Sequence, residues 1–115
     1  MKTIKVSGII PNAFSSEQAM KLRAEMKTHL DNNEKIMLDF SEIDKYTTLF
    51  FNFCTGFFIR EMGKQNYDEL VKLDNLSDLG KSTYQNSYSN AIRDDYDSAT
   101  IENEINNILK NIEDN

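Results

Sequence analysis

The sequence predicts a small α/β domain in which a mixed or mostly parallel sheet of about three to four strands packs with helices, plus a C-terminal helix. Strand-like and helix-like segments alternate along the chain in the order βαβαβαα. The segment 36–38 is continuously apolar, which is typical of a central parallel strand covered on both faces. A chain of 115 residues has the length of one domain. We therefore expect an α/β domain over residues 1–96 and an acidic C-terminal helix over residues 97–115.

The beginning of the chain predicts a strand followed by an amphipathic helix. Residues 3–10 read as the first strand, which ends at Pro11, the only proline. Ser15 and Gln18 have the spacing of a capping box, so a helix is expected to run from there to about residue 30. Its apolar residues recur three and four positions apart, which predicts a stripe that faces the core. The stripe consists of Ala19, Leu22, Met26 and Leu30.

A second helix, rich in phenylalanine, follows the buried strand 34–40 and a polar turn over 41–45. We expect it to run without interruption from Thr48 to Met62 and to end before Gly63. At 100° per residue its apolar side chains form two stripes, and one sheet face can cover only the first. The first stripe is Phe50, Phe53, Cys54 and Phe57, and the second is Phe51, Phe58 and Met62. The C-terminal helix, a second copy of the chain in a homodimer, or a different protein would cover the second stripe.

The remaining elements are a third strand over about 68–73, a helix over about 77–92 and a last helix over about 98–112. The last helix has isoleucines four, three and four positions apart, as in a coiled-coil seam. Such a short seam is not stable alone, so we expect it to dock on its own domain or on a partner. The seam residues are Ile101, Ile105, Ile108 and Ile112.

The net charge of −6 lies on the end of the chain. Residues 94–115 hold seven carboxylates and one lysine, whereas acidic and basic side chains cancel over residues 1–93. Because such a segment repels phosphate, we do not expect direct nucleic-acid binding. The segment suits a basic partner or a solvated helix face. A single cysteine and the lack of an apolar run of about 20 residues predict a cytoplasmic protein without a membrane partner.

No combination of residues predicts catalysis, a metal or a cofactor. His29 is the only histidine and has no second ligand at metal-binding spacing. Cys54 is expected to be a buried apolar residue. Gly80 begins a segment that matches the end of a phosphate-binding P-loop, but the first glycine of that motif falls on Asn75. We therefore predict that the protein is not an enzyme.

Residues 36–51 carry a resemblance to a known family. An apolar strand ends in Asp39 and Phe40, a short turn carries the apolar Ile43, and a helix with phenylalanines follows. This arrangement resembles the strand–turn–helix signature of STAS domains, the fold of anti-anti-sigma factors. It is more similar still to the STAS-like domains of unknown function found in bacteria. The resemblance covers roughly residues 3–93.

The resemblance implies a regulatory, non-enzymatic module that exchanges protein partners, often beside a histidine-kinase-like ATPase. In phosphorylated members of the related family, a serine at the helix start follows an aspartate. The corresponding positions here are Thr48 and Thr47, so the chain departs from that pattern. We expect Thr48 to cap the helix and to be a candidate switch residue. The expected partner-binding corner consists of Asp44, Lys45, Tyr46, Thr47 and Thr48.

A second function class is compatible with the acidic segment. A small acidic inhibitor from a phage or mobile element, of the anti-defence or anti-CRISPR type, would mimic nucleic-acid charge and block a basic nucleic-acid-binding protein. Truncation after Asp97 separates the two hypotheses, because it would abolish such inhibition and leave binding through the corner intact.

Overall fold

The computed structural model describes residues 1–93, which form a three-stranded sheet and five helices. The predicted helix over 98–112, with its four seam isoleucines, lies outside the described residues, as does the segment 97–115. The α/β class is confirmed. In chain order the elements are β1 (Lys2–Lys5), α1 (Ser16–Leu30), β2 (Ile36–Asp39), α2 (Thr48–Phe53), α3 (Thr55–Met62), α4 (Lys64–Leu70), β3 (Val71–Asp74) and α5 (78–93).

The sheet is entirely parallel, in the order β1-β2-β3. Ile4, Leu38 and Leu73 form one row across it and point into the core. The next row, one residue further along each strand, is Lys5, Asp39 and Asp74, all exposed or half-exposed. Met37 lies on the face of β2 opposite to Leu38 and is half-buried, so within residues 1–93 that face is less covered than was expected for a strand buried on both faces.

The first strand is shorter than predicted because the chain turns after Lys5. Residues Val6–Gly8 form one turn of 3₁₀ helix. The carbonyl oxygen of Val6 accepts hydrogen bonds from the backbone N–H groups of Ile9 and Ile10, at 2.9 and 3.0 Å. These bonds turn the chain so that Val6 and Ile10 are both buried, and the strand does not continue to Ile10.

Helix α1 confirms the prediction in its start, its end and its buried face. Ser15 Oγ accepts a hydrogen bond from the Gln18 backbone N–H, and Gln18 Oε1 accepts one from the Ser15 N–H, both at 3.1 Å. Together they satisfy two backbone donors that a helix start leaves without an intrahelical acceptor. The buried residues are Ala19, Leu22, Met26 and Leu30, as predicted.

The phenylalanine-rich segment is two helices rather than one. The chain leaves helical geometry at Cys54, where φ is −101° and ψ is −88°. The Thr55 hydroxyl donates to the Phe51 carbonyl at 3.2 Å, a contact that bends helices. Because of the break, Phe53 is exposed instead of facing the sheet with Phe50 and Cys54. The predicted end is confirmed, since Gly63 has φ of +82°.

A fourth helix replaces the beginning of the predicted third strand. Residues Lys64–Leu70 are helical, and β3 starts at Val71 instead of at about residue 68. Lys64 and Asp68, one turn apart, form an ion pair of 2.8 Å. Tyr67, which lies between them in the sequence, is buried. Helix α4 is thus followed directly by β3, an edge strand of the sheet.

Candidate functional site: the corner before helix α2

Thr47, not Thr48, caps helix α2. Its Oγ1 accepts a hydrogen bond from the Phe50 backbone N–H at 3.1 Å and donates to the carbonyl oxygen of Phe14. The expectation that Thr48 is the cap is wrong because Thr47 has the extended backbone of an N-cap residue, with φ of −135° and ψ of 152°. Thr48 is the first helical residue and is half-exposed.

The corner is joined by backbone hydrogen bonds to the segment that precedes α1. Ala13 and Tyr46 form a parallel bridge. Within it, the Ala13 N–H donates to the Lys45 carbonyl at 3.0 Å, and the Thr47 N–H donates to the Ala13 carbonyl at 2.9 Å. These two hydrogen bonds hold the backbone of residues 45–47, at the start of α2, against Ala13.

Tyr46 does not face outward, which contradicts the expectation that it contacts a partner. Its side chain is only 8% exposed, and its hydroxyl donates to the Ile43 carbonyl at 2.7 Å. The ring stacks on Phe51, with centroids 6.1 Å apart and planes 9° apart. Burial raises the pKa of the Tyr46 hydroxyl. Tyr46 therefore packs in the core under the corner.

The outward side chains of the corner are polar, with one apolar neighbour. Asp44 and Lys45 are exposed, Thr48 is half-exposed, and Leu49 is exposed on the first turn of α2. We call these four residues the corner face. The structure thus brings together three of the predicted partner-binding residues at the surface, adds Leu49, and assigns Thr47 and Tyr46 to supporting roles.

The three residues of the second stripe do not share one environment. Phe51 is fully buried and touches Tyr84 of helix α5 edge-on, with ring centroids 5.3 Å apart. Part of its cover therefore comes from α5, which was not among the expected candidates, namely the C-terminal helix, a second copy of the chain or a different protein. Phe58 is also buried, and Met62 is partly buried beside Leu30 in a small cavity. Ile101, Ile105, Ile108 and Ile112 lie outside the described residues.

Sequence reasoning missed an exposed apolar surface around Arg23 of α1. Arg23 contacts two apolar residues of this surface. Its Nη1 donates to the Met20 sulfur at 3.6 Å, and its guanidinium lies 3.3 Å from the centre of the Phe57 ring. The available signal was Met20, an apolar residue outside the buried stripe of α1. The exposed fractions are 47% for Met20 and 44% for Phe53, and Phe57 is half-buried.

A groove of about 460 Å³ lies within this surface. Arg60 stands on its rim, where its Nη1 donates to the Asn52 carbonyl at 3.4 Å. Because each arginine has a delocalised, planar cation, a groove with two of them suits apolar and acidic groups together. We call it the arginine groove; it is lined by Arg23, Asn52, Phe53, Phe57, Arg60 and Glu61.

Residues 1–93 contain few side chains that are suited to catalysis or metal binding. Complete burial raises the pKa of the Cys54 thiol, which keeps it protonated and unreactive. Asp39, at the end of β2, has a lowered pKa because the Asn75 amide and the Ser41 backbone N–H donate to its carboxylate, at 2.8 and 2.9 Å. Within residues 1–93, no group of three or more His, Cys, Asp and Glu side chains could hold a metal ion. No helix in that range is long and apolar enough to cross a membrane.

Comparison with known protein families gives a match to the middle of the chain. The model of the family described as STAS-like domain of unknown function (DUF4325) matches residues 18–81. The matched range is more than half of the chain and runs from the first turn of α1, through β2, the corner and β3, to the start of α5. No curated protein and no solved structure matches the chain.

Proposed function

Because this chain belongs to the STAS-like domain family of unknown function, we propose that it is a non-enzymatic regulatory module that binds another protein through its corner face. The observation that carries the proposal is the fixed turn before α2. Backbone bonds to Ala13 and the Thr47 cap hold it, while Lys45, Thr48 and Leu49 point away from the core. A rigid surface of this kind loses little conformational entropy on binding.

The chemistry of the corner face favours a folded protein as the partner. Asp44 and Lys45 supply one charge of each sign, and Leu49 supplies exposed apolar area next to them. An apolar centre with a polar rim is the usual anatomy of a protein interface. The family resemblance suggests a kinase-like ATPase as the partner class, in the cytoplasm. Thr48 is the residue of this face that a kinase could modify, since it is half-exposed and is not the helix cap.

Affinity capture from a bacterial lysate tests the proposal. The wild-type chain and the variants Thr48→Arg and Thr3→Arg are immobilised, and co-purified proteins are identified by mass spectrometry. Thr3 is the matched control, because it is an exposed threonine on β1, outside the corner. We expect one protein to be retained by wild type and by Thr3→Arg and lost with Thr48→Arg. Equal retention by all three chains would contradict binding through the corner face.

The acidic inhibitor remains a second candidate, because the whole net charge of −6 lies on residues 94–115. On that proposal the partner is a basic nucleic-acid-binding protein, and the C-terminal segment makes the contact. Truncation after Asp97 decides between the two. A partner retained by the truncated chain supports the corner face, and a basic partner lost on truncation supports the inhibitor.

A further inference from the structure

We infer that the arginine groove is a docking site for the chain's own acidic C-terminal segment, residues 98–112. The groove offers apolar area to an occupant, because Phe53 is exposed and Phe57 is only half-buried in the same depression. Exposed aromatic area of this kind in a groove marks an interaction site. The inference does not depend on the proposed partner, since it concerns a different surface from the corner face.

The charged groups of the groove indicate which kind of segment would bind there. The lining of the groove includes the guanidinium groups of Arg23 and Arg60 and the carboxylate of Glu61, and Arg23 lies over the Phe57 ring. An occupant that is apolar on one side and acidic on the other would match both features. A basic or purely polar segment would match neither.

The C-terminal segment has this composition. Its isoleucines, from Ile101 to Ile112, recur four, three and four positions apart, so a helix formed on docking would present them along one face. Glu102 and Glu104 lie among them. Residues 94–115 as a whole hold seven carboxylates and one lysine. The segment therefore supplies apolar side chains for the two phenylalanines and carboxylates for the two arginines.

The segment is also within reach of the groove of its own chain. Ser87 of helix α5 donates a hydrogen bond of 2.6 Å to Asn52, one of the groove residues. From Ser87 to Arg93 the helix advances about 9 Å, and residues 94–100 can span up to about 25 Å when extended. Attachment to the same chain gives the segment an effective concentration on the order of millimolar. This advantage favours the chain's own segment over that of a second copy.

Paramagnetic NMR on the full chain tests the inference. A nitroxide is attached to the variant Asn106→Cys, and no other labelling is expected because Cys54 is fully buried. We expect the backbone amide signals of Phe53 and Phe57 to lose most of their intensity, while that of Thr3 on β1 stays unchanged. Unchanged signals at Phe53 and Phe57 would overturn the inference.

A mixing experiment distinguishes the chain's own segment from that of another copy. Isotope-labelled protein without the nitroxide is mixed with an equal amount of unlabelled protein that carries it. We expect no broadening in the mixture. Broadening at Phe53 and Phe57 in the mixture, at about half the strength seen in the singly labelled chain because only half of the chains carry the nitroxide, would show docking between copies and overturn docking within one chain.

Charge reversal tests the stated contacts. Glu102→Lys with Glu104→Lys leaves residues 1–93 unaltered, and we expect it to restore most of the Phe53 and Phe57 signal intensity. Arg23→Glu with Arg60→Glu should do the same, and combining all four changes should bring the broadening back. The control pair, Lys21→Glu with Lys35→Glu, reverses two exposed lysines outside the groove and should leave the broadening intact. Broadening that survives both arginine and glutamate reversals would contradict the proposed charge pairing.

Discussion

The ring of Tyr46 lies directly against Gly80, so closely that a β-carbon on Gly80 would be 2.7 Å from Cζ of the tyrosine. This contact joins the corner to the first turn of α5, across 34 positions of sequence. It also gives Gly80 a packing role. The P-loop-like segment that begins at Gly80 is thus accounted for by the core, without a phosphate ligand.

Replacing Gly80 with alanine is expected to destabilise the domain by about 1–3 kcal/mol, because the added methyl group must displace the Tyr46 ring from a packed core. Urea denaturation followed by circular dichroism measures the change. Gly8→Ala is the control, since no atom lies within 4 Å of the position its β-carbon would take. Equal midpoints for both variants would show that the Tyr46–Gly80 contact does not constrain the fold.

The two adjacent threonines are expected to differ in their contribution to stability. Thr47→Ala removes the cap of α2 together with the bond to the Phe14 carbonyl, and should cost about 1 kcal/mol or somewhat more. Thr48→Ala removes a half-exposed side chain from the first helical position and should cost less than about 0.5 kcal/mol. The free energies of unfolding of the two variants, measured in urea, decide the matter. A larger loss for Thr48→Ala than for Thr47→Ala would contradict the assignment of Thr47 as the cap.

The Cys54 thiol is expected to resist modification in the folded protein. Burial raises its pKa, so the thiolate is scarce at neutral pH and the sulfur is shielded as well. A chromogenic disulfide reagent at pH 8 should react at least about a hundredfold more slowly with native protein than with protein in concentrated urea. Comparable rates in the two conditions would place Cys54 at the surface.

The same raised pKa sets the direction of the alkaline pH dependence. The folded chain holds the thiol proton more tightly than the unfolded chain, so this contribution to stability is complete below the ordinary thiol pKa of 9.0. It is lost progressively as the pH rises above that value. Urea midpoints at pH 7, 9 and 10 should therefore decrease at the two higher values. A midpoint that rises between pH 9 and 10 would contradict this linkage.

Asn75 is expected to hold the Asp39 carboxylate in its ionised form. The lowered pKa of Asp39 means that its bonds to Asn75 and Ser41 stabilise the fold above the ordinary value of 3.8, and that this contribution is lost as the pH falls through the lowered pKa. In the variant Asn75→Gly, the side-chain donor is removed while the φ of +60° remains accessible. NMR titration should show the Asp39 pKa rising toward 3.8, its ordinary value. An unchanged pKa would exclude Asn75 as its main cause.

Local patterns predicted the elements that local interactions determine. Helix α1 has a capping box and a regular apolar stripe, and both its ends and its buried face follow from them. The break at Cys54 was not predicted, although Gly56 follows it by two residues and the Thr55 hydroxyl bonds to the Phe51 carbonyl there. Helix α4 was missed because its seven residues include few apolar side chains, and Tyr67 alone is buried.

The candidate site was predictable in position but not in the orientation of its side chains. The strand–turn–helix pattern predicted the turn between β2 and α2, which the structure contains. The direction in which Tyr46 points depends on packing against Phe51 and against Gly80, which is 34 positions away in the sequence. The identity of the cap depends on which threonine has extended backbone geometry, and that is set by the bonds to Ala13 and Phe14. Long-range contacts of this kind leave no signature in local spacing.

The most direct test of the central claim is the dissociation constant between this chain and its captured partner, measured by isothermal titration calorimetry for wild type, Leu49→Asp and Thr3→Arg. Leu49 is the exposed apolar residue of the corner face, and its replacement by a carboxylate should weaken binding at least about tenfold. Thr3→Arg should stay within about twofold of wild type. Wild-type affinity in the Leu49→Asp variant would show that the partner binds elsewhere, and the corner face would no longer be the site.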